Sequence, residues 1–239
     1  MLEILYQDEH LVAINKPSGL LVHRSLIATR EHEFALQLTR DQIGQRVYLV
    51  HRLDRPTSGV LLFALNSDTA RQISEQFMQR RVVKNYLALV RGHCADKGRI
   101  DYALKEQLDN VSDAKAKADK QAQEAVTDYA CIQKVELPYK VGRYDSARFS
   151  WLGLTPHTGR KHQLRRHLKH IFHPIVGDTS HGDGKQNTFF RDQYQCYRLM
   201  LHANNLQLIH PALHTPLQIK APLPGDLRDP LHSMGLEVE

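Results

Sequence analysis

In VHRLDRPTSGV (50–60), Asp54 stands between Arg52 and Arg55, with apolar runs at 47–50 and 60–65 on either side. A carboxylate held there can act as a nucleophile, an acid/base group or the counter-charge of a cationic intermediate. It can equally be a surface ion pair beside a hairpin turn, a common arrangement that contributes little to stability. In extended geometry Arg52 and Asp54 share one side of the chain, with His51, Leu53 and Arg55 on the other. Pro56 biases Arg55 toward extended backbone, and Thr57-Ser58-Gly59 supplies turn chemistry before the chain re-enters the core. Asp54 is therefore expected at a sheet end, beside the core and open to a cleft.

A second segment, TGRKHQLRRHLKH (158–170), puts Arg160, Lys161, Arg165, Arg166 and Lys169 into one expected helix over 159–170. Leu164, Leu168 and Ile171 recur at i, i+4 and i+7, so one face can dock on a core. Arg165 falls at the edge of that stripe, while Lys161, Arg166 and Lys169 point toward solvent or phosphate. A solvated charged face is the ordinary fate of such a run. Residues 157–173 contain no Asp or Glu, however, so i,i+4 ion pairs within the helix are impossible. Nucleic-acid phosphates would neutralise this surface, with strongly salt-dependent binding. His157, His162, His167, His170 and His173 have spacings that could ligate zinc. They lack an HExxH or cysteine partner and lie among arginines that oppose a dication, so no metal is expected. No Walker motif, dinucleotide fingerprint or GxSxG elbow is present, and GDGK (182–185) resembles a phosphate loop only superficially.

The elements that must position these residues are mostly strands. Short strands are expected at 2–6 and 11–15, a turn at Lys16-Pro17-Ser18-Gly19, and a short helix near 34–43. The strands at 47–50 and 60–65 flank Asp54. A helix follows, capped by Asn66 or Ser67, with Ala70, Ile73 and Phe77 on its apolar face. Further strands are expected at 86–90, 125–135, 147–155, 205–210 and 216–221. Residues 109–124, DNVSDAKAKADKQAQE, are polar and charged without an apolar stripe and read as a mobile surface insertion. Strands outnumber helices and do not alternate with them, which favours an α+β fold with a mainly antiparallel sheet.

Composition excludes several classes. A chain of 239 residues, 41% hydrophobic and 24% charged, can bury a globular core, so general disorder is not expected. The net charge of +6 suits a polyanionic partner. Cys94, Cys131 and Cys196 are odd in number and widely spaced, which argues against a disulfide framework. No stretch approaches the roughly 20 apolar residues of a membrane span, and no signal peptide is evident, so a soluble cytoplasmic protein is expected.

In chain order, KPSGLLVH (16–23), HRLDRPTSGVLLFA (51–64), KNYLALVRG (84–92), TGRKHQLRRHL (158–168), HPIVGD (173–178) and RLMLHA (198–203) resemble the RluA-type pseudouridine synthases. The resemblance spans nearly the whole chain. It implies one catalytic domain over 1–239, a mixed, mainly antiparallel sheet flanked by helices and loops, and no S4 domain. The Arg-Pro after the aspartate, TGRKHQLRRHL and the MLEILYQDE opening resemble most the subfamily that isomerises the uridine at tRNA position 65, in the T-stem. Asp54 then matches the catalytic aspartate, Arg165 its charge partner, and Tyr86 a tyrosine that stacks near the base and assists proton removal from C5. Arg52 matches an arginine that enters the RNA stack when the uridine is flipped out. Flipping is required because C1′, C5 and C6 of a stacked base are inaccessible. Leu201 is expected to pack near the base, and Arg160, Lys161, His162, Arg166 and Lys169 to contact RNA. No cofactor, metal or nucleotide is implied, and the enzyme is expected to act as a monomer on tRNA. The reading leaves open whether Asp54 attacks C1′, adds to C6 or removes a sugar proton. Its rivals are a synthase acting on rRNA or another site, a non-catalytic RNA-binding module and an aspartate-dependent N-glycosylase.

Overall fold

The computed structural model describes residues 1–24, 33–106 and 121–238. The first 12 positions of the insertion expected at 109–124 therefore lie outside the described residues. Gln123 bridges to Leu104, and Glu124 pairs with Arg80, as the chain leads into the next strand.

The chain builds a single ten-stranded sheet with five helices among the described residues. The N-terminal strands are β1 (Glu3–Gln7), β2 (Leu11–Lys16), β3 (Tyr48–Leu49) and β4 (Ser58–Ala64), with α1 (Ala35–Ile43) between β2 and β3. After α2 (Ser67–Met78) come β5 (Val83–Arg91), β6 (Lys97–Asp101), β7 (Val126–Leu137) and β8 (Ala147–Pro156). Then follow α3 (Gln163–His170), α4 (Gly184–Tyr194), β9 (Leu201–Ile209), β10 (Pro216–Lys220) and α5 (Gly225–Ser233). The sheet runs β1-β2-β4-β9-β5-β8-β7-β6, with β3 on β4 and β10 on β9. Among the described strands only β4 and β9 pair in parallel, and the expected α+β, mainly antiparallel architecture is what the chain forms.

That parallel pair joins the sheet's two halves through two positions, Ser58 opposite His202 and Gly59 opposite Ala203. Gly59 has φ +112°, and a Cβ there would lie 2.2 Å from the Ala203 carbonyl oxygen. Only glycine permits both that backbone conformation and that approach. Every residue of β4 is buried, which explains its unbroken apolar run. β3 is shorter than the expected 47–50 strand because the chain leaves the sheet after Leu49 to form the Asp54 loop. The α2 cap is Asn66, whose side chain accepts the Thr69 N–H at 2.9 Å.

Three elements lie outside the sequence-based expectation: β6, α4 and α5. In α5, Pro224-Gly225 and Pro230 are helix-breaking signals, yet Leu227 and Leu231 are fully buried and fix the helix by packing. The phosphate-loop look of GDGK is helix capping: Asp183 accepts the N–H groups of Lys185 and Gln186 at the start of α4.

Candidate active site

The Asp54 loop is clamped from behind. Lys16 is fully buried, and its ammonium donates to the carbonyls of Pro17 (2.9 Å), Leu20 (2.8 Å) and Arg55 (3.1 Å). Burial pushes its pKa down to about 7. Arg55, whose role composition and spacing leave open, returns the clasp: its Nε donates to Gly19 O (2.9 Å), and Gly19 N donates to Arg55 O (2.9 Å). His51 accepts the Leu62 N–H on Nε2 (3.0 Å) and stacks on Phe77, so it must be neutral; burial holds its pKa to about 3. The loop closes with the Thr57 N–H on the Asp54 carbonyl at 3.0 Å. Below it, Arg198 donates to Ser58, Ser58 Oγ lies 2.8 Å from His202 Nδ1, and His202 Nε2 reaches Ala221 O at 3.2 Å. Burial holds the His202 pKa to about 4, which keeps the ring neutral near pH 7.

The long-range pair expected between Asp54 and Arg165 is present, in an unequal form. Arg165 Nη1 reaches Asp54 Oδ2 at 3.3 Å. The same guanidinium holds Asp178 by two shorter bonds, Nε to Oδ2 at 2.7 Å and Nη2 to Oδ1 at 2.8 Å. Side-chain exposure is 5% for Arg165, 1% for Asp178 and 28% for Asp54, so of the three Asp54 is the one open to solvent. Helical spacing places Arg165 at the edge of the apolar stripe. It is buried there because the loop bearing Asp178 supplies the counter-charge. Asp178 also accepts the N–H groups of Ser180 and His181 at 2.9 Å each, and these bonds with Arg165 keep its pKa below the usual carboxylate range.

α3 begins at Gln163, four residues later than expected, because His162 takes a left-handed conformation with φ 53°. Gln163 organises the turn before it. Its Oε1 accepts from Thr158 Oγ1 (2.6 Å) and Arg160 N (3.0 Å), and its Nε2 donates to Val126 O and Thr127 Oγ1. His162 Nδ1 lies 3.1 Å from His181 Nε2; burial lowers the His162 pKa, with Asp54 opposing that shift.

Tyr86 enters from β5, where a bulge against β9 falls between Asn85 and Tyr86. Such irregularities re-aim side chains beside functional sites. Tyr86 packs at the junction of two core clusters. Burial, and after it the negative charge of Asp54, push its hydroxyl well above the usual phenol range. Leu201 is 3% exposed in the core cluster against which Tyr86 packs.

The expected RNA-binding residues divide into two groups. Arg52 and Lys169 are exposed, Arg166 is partly buried, and none of the three side chains forms an ion pair among the described residues. Arg160 donates from Nε to Glu124 O at 3.0 Å, and Lys161 and His162 are partly buried. The histidines with zinc-like spacing are dispersed. His157 pairs with Asp128, His167 bonds Thr127 and Tyr102 O, His170 stacks on Tyr102, and His173 bonds Arg91 O.

Sequence reasoning misses Asp178, Lys16 and Gln163 as site residues. HPIVGD, KPSG and TGRKHQ mark their positions, but only tertiary partners reveal what they do.

Residues 10–170 match the family model for RNA pseudouridylate synthase. The chain belongs to that family. It is thus a pseudouridine synthase, an isomerase that acts on uridine in RNA. It is 53% identical over 237 residues to a Haemophilus influenzae protein named tRNA pseudouridine synthase C, covering 99% of both chains. A Pectobacterium carotovorum protein of the same name is 56% identical over 221 residues, covering 92% of this chain and 59% of that one. Human RNA Pseudouridylate Synthase Domain Containing 4 superposes with a TM-score of 0.72 at 32% identity, covering 99% of this chain and 94% of the other. No described helix is long and apolar enough to cross a membrane.

Proposed function

We propose that this synthase isomerises a uridine of tRNA, at position 65 in the T-stem, with Asp54 as the catalytic carboxylate of a single domain spanning 1–239. The carrying observation is the part-exposed Asp54 in the loop before β4, held by one bond from a buried arginine. The kinship to enzymes named tRNA pseudouridine synthase C supports the choice of tRNA. The reaction breaks C1′–N1, turns the uracil and forms C1′–C5, with the C5 proton lost and N1 gaining one, so there is no net redox change. The described residues can carry it without a metal or nucleotide. Asp54 serves as nucleophile or as charge and proton partner of the separated intermediate.

Tyr86 supplies a ring wall and a hydroxyl donor to the base; with its pKa raised, phenolate is scarce near neutral pH. Arg52, exposed beside Asp54, fills the stack left by the flipped uridine. Leu201 backs the Tyr86 wall from within the core. Arg160, Lys161 and His162 in the turn before α3, with Arg166 and Lys169 on it, line the RNA path, and the enzyme works as a cytoplasmic monomer. Chemical mapping of pseudouridine in tRNA and rRNA, with and without the protein, tests the assignment. The expected product is pseudouridine at tRNA position 65; a product confined to rRNA would refute the tRNA reading, and released uracil would reveal a glycosylase.

A further inference from the structure

We propose that Asp178 is a positioning residue: by occupying the fork of Arg165, it leaves Asp54 held by one bond and Asp54 Oδ1 free for the uridine. The inference deepens the proposed role of Asp54 and rests on it.

Arg165 offers its donors in a rigid plane that matches one carboxylate bidentately. Asp178 takes that bidentate position at 2.7 and 2.8 Å, and Asp54 receives only Nη1, on Oδ2, at 3.3 Å. The asymmetry is built into the fold. Asp178 is fixed by the N–H groups of Ser180 and His181, and its carbonyl accepts from Asn187 Nδ2 at 2.9 Å. A Cβ at Gly182 would lie 2.1 Å from that same carbonyl oxygen, so the loop packs tightly around it. Three charged groups meet here, one cation and two anions, and the buried arginine is already matched by the more buried acid. Asp54 is therefore oriented by a single bond on Oδ2 without being consumed. With Asp178 absent, the fork would turn to Asp54 and occupy both oxygens.

The test is single-turnover pseudouridine formation at saturating enzyme, together with RNA affinity, for wild type, Asp178→Asn, Asp178→Glu, Arg165→Met and the double variant Asp178→Asn/Arg165→Met. Asp178→Asn should slow turnover roughly 100-fold while RNA affinity stays within about threefold, since the loss falls on an interaction made at the reacting group. Asp178→Glu, which retains the charge, should recover part of the rate and covers the case in which the amide variant does not fold. A residue acting only through Arg165 adds no further cost once Arg165 is Met, so the double variant should match Arg165→Met within about threefold. Multiplying costs, or wild-type rates in both Asp178 variants, would overturn the proposal. Wild-type protein that forms no pseudouridine in RNA would instead overturn the reading beneath it.

Discussion

The two sides of the Asp54 loop treat charge in opposite ways. Behind it, Lys16, Arg198, Ser58 and His202 are buried, and their polar groups are matched by carbonyls, a hydroxyl, a ring nitrogen and, for Arg198, the Asp226 carboxylate. In front, Arg52 and Lys169 stand in solvent, and neither they nor Arg166 form an ion pair among the described residues. Buried polar groups are tolerable only when fully satisfied, and a satisfied network rigidifies what it holds. Exposed cations incur little desolvation and stay available for phosphate. The rear thus fixes a carboxylate's position, whereas the front is fitted to receive a polyanion.

The sharpest way to break this contrast is acid. The folded state holds His202 at a pKa of about 4, below the roughly 6.5 of an unfolded chain. Between those values the unfolded chain binds the proton first, so stability falls as pH drops from about 6.5 to 4. The slope approaches about 1.4 kcal/mol per pH unit, roughly 3 kcal/mol across the window. His51, held to about 3, acts in the same direction. Urea unfolding at pH 7 and 4.5 should show a flatter pH dependence for His202→Gln than for wild type; identical slopes would mean that His202 does not carry the effect.

A smaller effect is expected at the front. Arg166→Ala/Lys169→Ala should weaken RNA binding about tenfold near physiological salt. The slope of log affinity against log salt should shrink by about 0.7–0.9 for each phosphate that the variant no longer neutralises. The turnover rate at saturating RNA should stay within about twofold. Arg99→Ala is the smallest expected change: Arg99 is already bound to Asp128 at 2.7 and 3.0 Å, so RNA affinity should stay within about twofold. A log-affinity loss for Arg99→Ala of about half that of the α3 double variant, one charge against two, would show that net charge, not placement, governs binding.

Much of this is legible in the chain because local chemistry announces it. The apolar runs around Asp54 require strands, and the acid-free 157–173 segment leaves its cations without local partners. Asp178 is opaque for a different reason. A Gly-Asp after two apolar residues reads as an ordinary turn, and its meaning lies in a guanidinium 13 residues away in sequence. Spacing puts Arg165 on the right helix, yet it cannot say that the 177–181 loop covers it. The parallel meeting of β4 and β9 is equally hidden, since hydrophobic patterning reports burial and not which strand lies alongside. α5 forms against its proline signals because two leucines bury there.

The central claim is that Asp54 carries the chemistry and is not needed for RNA capture. Asp54→Ala, assayed for pseudouridine in tRNA and for tRNA binding at the same salt concentration, addresses it directly. Affinity should stay within about threefold of wild type, with no detectable pseudouridine. Pseudouridine formed at the wild-type rate would remove Asp54 from the mechanism.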